Sequence, residues 1–175
     1  MSRARVAVVT VSDRSARGER ADATGPALAE AIGRDGHEVV HREVVSDDED
    51  GLAAALAALC DAAEAPDLVL TAGGTGLSPR DRAPEATSRI GERAVPGISE
   101  ALRAASRGTF PHADLSRGVA VLRGRTLVVN LPGSVGGATD GWARLSPVVD
   151  HAADQLRRGG DDHPPGPGGV PEPLR

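Results

Sequence analysis

The sequence predicts an α/β layer structure built on a mostly parallel sheet. Three observations carry that prediction. Short apolar runs recur at residues 6–11, 37–45, 68–72 and 126–131, too short for helices and β-branched enough for buried strands. Stretches with helical spacing of Leu, Ile and Ala lie between them, the order that gives parallel strands joined by crossover helices. Turn residues stand at the ends of these runs, so the chain's Gly, Pro, Ser and Asp collect where a parallel sheet presents its ligand-binding edge.

Taken in order, Val-Ala-Val-Val-Thr-Val at 6–11 is the first strand, closed by Ser12, Asp13 and Arg14. A polar loop runs to about Asp22. Pro26 is read as a helix start, with Leu28, Ala31 and Ile32 inward and Gly36 as the stop. Residues 37–45 are the second strand. Ser46 with Glu49 reads as a capping box for a helix placing Leu52, Leu56 and Leu59 on one face. Pro66 ends that helix and Leu68–Ala72 is the third strand. Glycines at 73, 74 and 76 flank Thr75 and are followed by Arg80, Asp81 and a helix beginning near Pro84. Val95-Pro96-Gly97 is a break before a helix carrying Ile98, Leu102 and Ala105. Residues 108–112 read as loop. Residues 119–122 and 126–131 form a candidate hairpin around Arg123-Gly124, and Leu131-Pro132-Gly133-Ser134 ends it. Trp142, Leu145, Val149 and Leu156 mark a closing helix, with a break expected near Pro147. Residues 1–158 are read as one domain and 159–175 as a disordered Gly/Pro-rich tail.

Bulk properties narrow the function. The chain has 175 residues and a formal net charge of −5, with no basic block, which argues against nucleic acid as a partner. Phe110 and Trp142 are its only Phe, Tyr or Trp residues, so a ring-shaped ligand would rest on backbone, aliphatic surface or an arginine. Cys60, the single cysteine, sits in a helical pattern and reads as a small buried hydrophobe. No apolar run approaches the ~20 residues of a membrane span, and a cytoplasmic protein is expected. The five histidines lack metal-site spacing and read as surface residues.

The stretch 67–87 is the functional signal. A strand runs into glycines, which let bare backbone N–H groups approach a ligand, then an acid, then a helix start. That order suits a phosphate with a cation beside it. It is not a Walker A loop, because no Gly-Lys-Ser/Thr follows. It is not the dinucleotide fingerprint, because the third glycine is replaced by Pro79. Ser134 lies in Gly-Ser-Val-Gly, which is not a nucleophile elbow. Asp47 and Asp81 are also readable as helix-start acids, Ser12-Asp13 as a solvated strand end, and Pro132-Gly133 as a plain turn.

Gly73-Gly74-Thr75-Gly76, Arg80-Asp81 and Pro84-Glu85-Ala86-Thr87 together resemble the GGTG…RD…PEAT signature of the MogA/MoaB family of molybdenum-cofactor biosynthesis proteins. Ser12-Asp13-Arg14, Thr24-Gly25-Pro26, Pro96-Gly97, Leu115-Ser116-Arg117-Gly118 and Asn130 to Ser134 are similar in order and spacing. The resemblance implies a compact α/β domain with helices on both faces of the sheet, usually a homotrimer and sometimes a hexamer. It implies adenylylation of molybdopterin by Mg-ATP, with pyrophosphate released. Asp47 and Asp81 match the family's two important aspartates and would hold Mg²⁺. Ser12, Asp13, Arg14, the 73–76 loop, Arg80, Pro132, Gly133 and Ser134 would bind substrate or nucleotide. No tightly bound cofactor is implied, and the partners are molybdopterin, ATP and other proteins of the pathway. Ala83 stands where the family commonly has Thr, which reads as a lost cap side chain costing about 1 kcal/mol. The short C-terminal part is similar to MoaB-type members, some of which bind related ligands without evident catalysis.

Overall fold

The computed structural model describes residues 3–108 and 110–158, so the tail expected at 159–175 lies outside the described residues. The chain forms a mixed, mostly parallel sheet of β1 (Arg5–Val11), β2 (Glu38–Val45), β3 (Leu68–Ala72), β4 (Arg93–Ala94), β5 (Ala120–Arg123) and β6 (Thr126–Leu131). Their spatial order is β2-β1-β3-β6-β5-β4. β2, β1, β3 and β6 are parallel neighbours; β5 and β4 add on in antiparallel fashion. The expected hairpin is the β5–β6 pair, turning at Gly124 with φ +54.

Alternation along the strands divides the core into two layers, as a sheet buried on both faces requires. Val6, Val8, Leu70 and Val129 face one side, where they meet Leu28 and Ile32 of α2 (Thr24–Arg34) and Trp142, Leu145 and Val149 of α6 (Val135–Arg158). Ile98 and Leu102 of α5 (Pro96–Ser106) pack onto the same side. Val9, Val69 and Val128 face the other, against Leu52, Leu56 and Cys60 of α3 (Glu49–Cys60) and Ala86 and Ile90 of α4 (Ala83–Ile90). Cys60 is a free, buried thiol, and burial pushes it up to about 11. Trp142 is 1% exposed, and its indole N–H finds Asp35 Oδ2 at 2.8 Å.

Several local expectations are corrected. Ser46 is not a cap: Asp48 occupies that position, and its Oδ2 accepts from Gly51 N at 2.6 Å. The second helix starts at Thr24, two residues before Pro26, because Asp22 Oδ1 accepts from the N–H groups of Thr24 and Gly25, each at 3.0 Å. Residue 83 is inside its helix and Arg82 is the cap, so Ala83 forfeits no cap side chain; it is a buried core residue. The closing helix is unbroken through Pro147. Pro147 is exposed on its outer face, where water can take the freed carbonyl. His37 is not a surface residue: it is 5% exposed, edge-on to Trp142 at 5.4 Å, and its Nδ1 accepts from Ala4 N. Part of the expected 108–112 loop is instead a 3₁₀ turn, Pro111–Leu115.

Candidate active site

The strand order places the suspected loops side by side. β1 leads to β2 on one flank and β3 starts the other, so the chain reverses its direction of travel across the sheet between β1 and β3. Crevices at such a reversal are where open α/β sheets bind ligands. The ladder continues into the loops: Ser12 N donates to Val45 O at 2.9 Å and Gly73 N to Leu131 O at 3.1 Å. Ser12 Oγ then caps the short helix α1 (Asp13–Ala16), accepting from Ser15 N at 3.3 Å.

Three glycines of the 73–76 loop make space for specific oxygens. At Gly73, with φ +122, a Cβ would overlap the Val11 carbonyl oxygen, so only glycine lets this loop lie against the end of β1. A Cβ on Gly74 would stand 3.1 Å from Asp47 Oδ1, and one on Gly76 would stand 2.9 Å from Asp81 Oδ2. The loop therefore seats both carboxylates. Each is held from its own side. Asp47 Oδ2 accepts from Asp13 N at 3.1 Å while Asp13 Oδ1 accepts from Asp47 N at 3.0 Å. Asp81 Oδ2 accepts from Ser78 N at 3.0 Å. Arg80, largely exposed, pairs with the other oxygen of Asp13.

Asp47 and Asp81 line one cleft of about 190 Å³, together with Ser12, Gly73, Gly74 and Gly133. Burial, and after it the negative charge of Asp81, raises the Asp47 carboxyl above its ordinary value. A carboxyl raised by burial beside a neighbouring acid is suited to sharing a cation with it. Among the described residues no group of three or more His, Cys, Asp or Glu could hold a metal. The cleft's two carboxylates, Asp47 and Asp81, fit Mg²⁺, which binds one or two carboxylates and takes its other ligands from water and phosphate; they do not fit a structural zinc site.

Arg14 is exposed and does not line the cleft; Arg20, not singled out in the sequence, does. Asp22 and Thr10 also line it, joined by a 3.0 Å bond, and Thr24 Oγ1 ties α2 to Gly133 O at 2.9 Å. Thr75 is buried and outside the cleft wall. Ser134 Oγ accepts from Gly137 N at 3.1 Å at the start of α6.

A second cavity, about 470 Å³, adjoins the first across the same two loops. Gly76, Pro132 and Ser134 face it, with Ser116, Phe110 and Asp140 among its other walls. Pockets for organic ligands run roughly 300–1,000 Å³, so the larger cavity has room for a fused ring, while the smaller suits phosphate groups.

The sequence matches, over residues 7–151, the family described as a probable molybdopterin binding domain. The chain belongs to that family. It is 33% identical over 153 residues to a molybdopterin adenylyltransferase of Helicobacter pylori, covering 86% of each chain. A bifunctional molybdenum cofactor biosynthesis protein of Synechococcus elongatus is 37% identical over 156 residues, and the chain spans 48% of its length. Among solved structures, MoaB of Thermus thermophilus is similar at 45% identity with a TM-score of 0.82, covering 87% of this chain and 96% of that one. Molybdenum cofactor biosynthesis is thus the process that this family serves. Among the described residues no helix is long and apolar enough to cross a membrane.

The raised carboxyl of Asp47 has a measurable consequence. An acid whose folded value lies above its unfolded one binds protons more readily in the native state. Stability therefore falls as pH rises from the ordinary value, 3.8, through the raised one. Asp47→Asn removes that loss and keeps an oxygen for Asp13 N–H. Thermal unfolding from pH 3 to 7 is expected to show the variant more stable than wild type at neutral pH, with the gain disappearing near pH 3. A variant that melts below wild type at pH 7 contradicts it.

Proposed function

We propose that the chain is a molybdopterin adenylyltransferase using Mg-ATP. The observation that carries this reading is the two-carboxylate cleft opening beside the larger cavity across the 73–76 and 132–134 loops. Similarity to proteins named molybdopterin adenylyltransferase supports it. A terminal phosphate oxygen of molybdopterin attacks the α-phosphorus of ATP. The new P–O bond forms as the bond to the bridging oxygen breaks, and pyrophosphate leaves. Asp47 and Asp81 would hold Mg²⁺, directly or through water, and the ion would offset the charge of the two phosphates brought together. The residues' own work is placement. Gly73 and Gly74 offer backbone close to phosphate, and Arg20 brings positive charge to the cleft wall. The larger cavity takes the pterin, whose ring rests on backbone, Leu102 and Phe110.

Pyrophosphate release from Mg-ATP that depends on molybdopterin tests the reading. Tight binding of both ligands without release points to a non-catalytic, MoaB-like binding protein of the same pathway; no binding sinks both. We also propose a cytoplasmic homotrimer. A solution mass of three chains at micromolar concentration is expected, and a monomer there contradicts it.

A further inference from the structure

Arg117 directs its backbone N–H and its guanidinium onto the 75–81 loop and the first turn of α4. It lies between the 3₁₀ turn and β5. Its backbone N–H donates to Thr75 O at 2.9 Å and its Nε to Gly76 O at 2.7 Å. One Nη donates to Asp81 O and the other to Glu85 Oε1. Arg82 is the other cation near that carboxylate, 3.8 Å away. A guanidinium is a rigid planar fork, so it fixes its acceptors relative to one another as well as to itself.

The segment that presents Arg117 is itself anchored. Val119 N donates to Asn130 Oδ1 at 3.1 Å, and Asn130 Nδ2 donates to Thr71 and Thr87 hydroxyls, both at 2.8 Å. These three polar side chains are buried, so the network is costly to break. The flanking residues Ser116 and Gly118 line the larger cavity. On its far side Arg117 grips the loop whose Gly76 faces that cavity and whose Asp81 faces the cleft.

We infer that Arg117 is a positioning residue that holds Gly76 and Asp81 in fixed register, so that the larger cavity and the carboxylate cleft keep one geometry. This rests on the transferase reading for its kinetic consequence, not for its structural one. The ion pair with Glu85 is only part-buried, and alone adds little to stability. The bonds to backbone oxygens carry the positioning.

The test compares Arg117→Met, Arg117→Lys and the swap Arg117→Glu with Glu85→Arg. Amide exchange of residues 73–82 is measured without ligand, and kcat and KM are measured with molybdopterin and Mg-ATP. Arg117→Met is expected to speed loop exchange about tenfold or more with β1 and β6 unchanged, and to lower kcat at least tenfold with KM for molybdopterin within about threefold. The swap is expected to recover thermal stability but neither loop protection nor kcat. Arg117→Lys, the variant to use if Met does not fold, keeps the charge without the fork and should fall between. Wild-type loop protection and kcat in either single variant, or their recovery in the swap, overturns the inference. If wild type itself turns nothing over, the transferase reading fails on its own account. Arg117 is then decided by loop exchange alone: faster supports it, unchanged overturns it.

Discussion

Asp81→Asn is expected to lower kcat by about 10²–10³ while leaving the fold intact, the cost of losing one preorganised charge at a phosphoryl-transfer centre. The fold should survive because the asparagine keeps an oxygen for the Ser78 N–H and occupies the same space beside Gly76. What disappears is negative charge facing Asp47 across the cleft. The Mg²⁺ concentration needed for half-maximal rate should therefore rise, while molybdopterin affinity, which the proposed function assigns to the neighbouring cavity, should stay near wild type. Adding Asp47→Asn should cost much less than a second full factor, since both acids would serve the same ion. Steady-state kinetics against Mg²⁺ decide it: an Asp81→Asn enzyme with wild-type kcat and unchanged ligand binding would falsify the assignment of both carboxylates.

The sequence made some of this site visible and hid the rest for physical reasons. Strand-to-turn transitions are local, so Ser12, Asp47, Gly73 and Pro132 could each be placed at a strand end from neighbouring residues alone. That their strands are adjacent is set by packing, and only the β2-β1-β3-β6 order brings them to one edge. The roles of Gly74 and Gly76 were half-legible. Freedom to turn is a local property, whereas the carboxylate that would meet each Cβ is not. Asp22 left a readable signal, an acid two residues ahead of Thr24-Gly25 that can cap their N–H groups. Asn130 left another, an amide in an otherwise apolar strand that must find buried partners. Arg117 stood in a segment that resembles the family, but its role left no signal, because backbone oxygens are the same in every sequence. The Ser46 capping box misled because Asp47 is drawn back to Asp13, which delays the helix until Asp48 can cap it. β4 was missed because two exposed residues carry no period.

Gly73→Ala should do more damage than any other single methyl group added to this chain's site. Its φ of +122 is a region that L residues rarely adopt, costing about 1–3 kcal/mol. The methyl would also strike the Val11 carbonyl oxygen, a backbone atom that cannot rotate away, and forced overpacking costs about 1–3 kcal/mol more. A total of about 2–6 kcal/mol is a large share of a typical domain's stability. Relief requires the loop to lift from the end of β1, carrying Gly74 away from Asp47, so any folded fraction should also be catalytically poor. Gly33→Ala is the control. Gly33 lies in α2 with nothing within 4 Å of its Cβ position, so the same methyl should stabilise by about 0.5–1 kcal/mol with kcat unchanged. Urea unfolding of the two variants against wild type reads both signs at once. If Gly73→Ala unfolds with wild type, the loop does not press on β1 and the shared wall of cleft and cavity is not rigid. The glycine is required because the 73–76 loop is packed onto the first strand, and that contact sets the distance between the loop's backbone and Asp47.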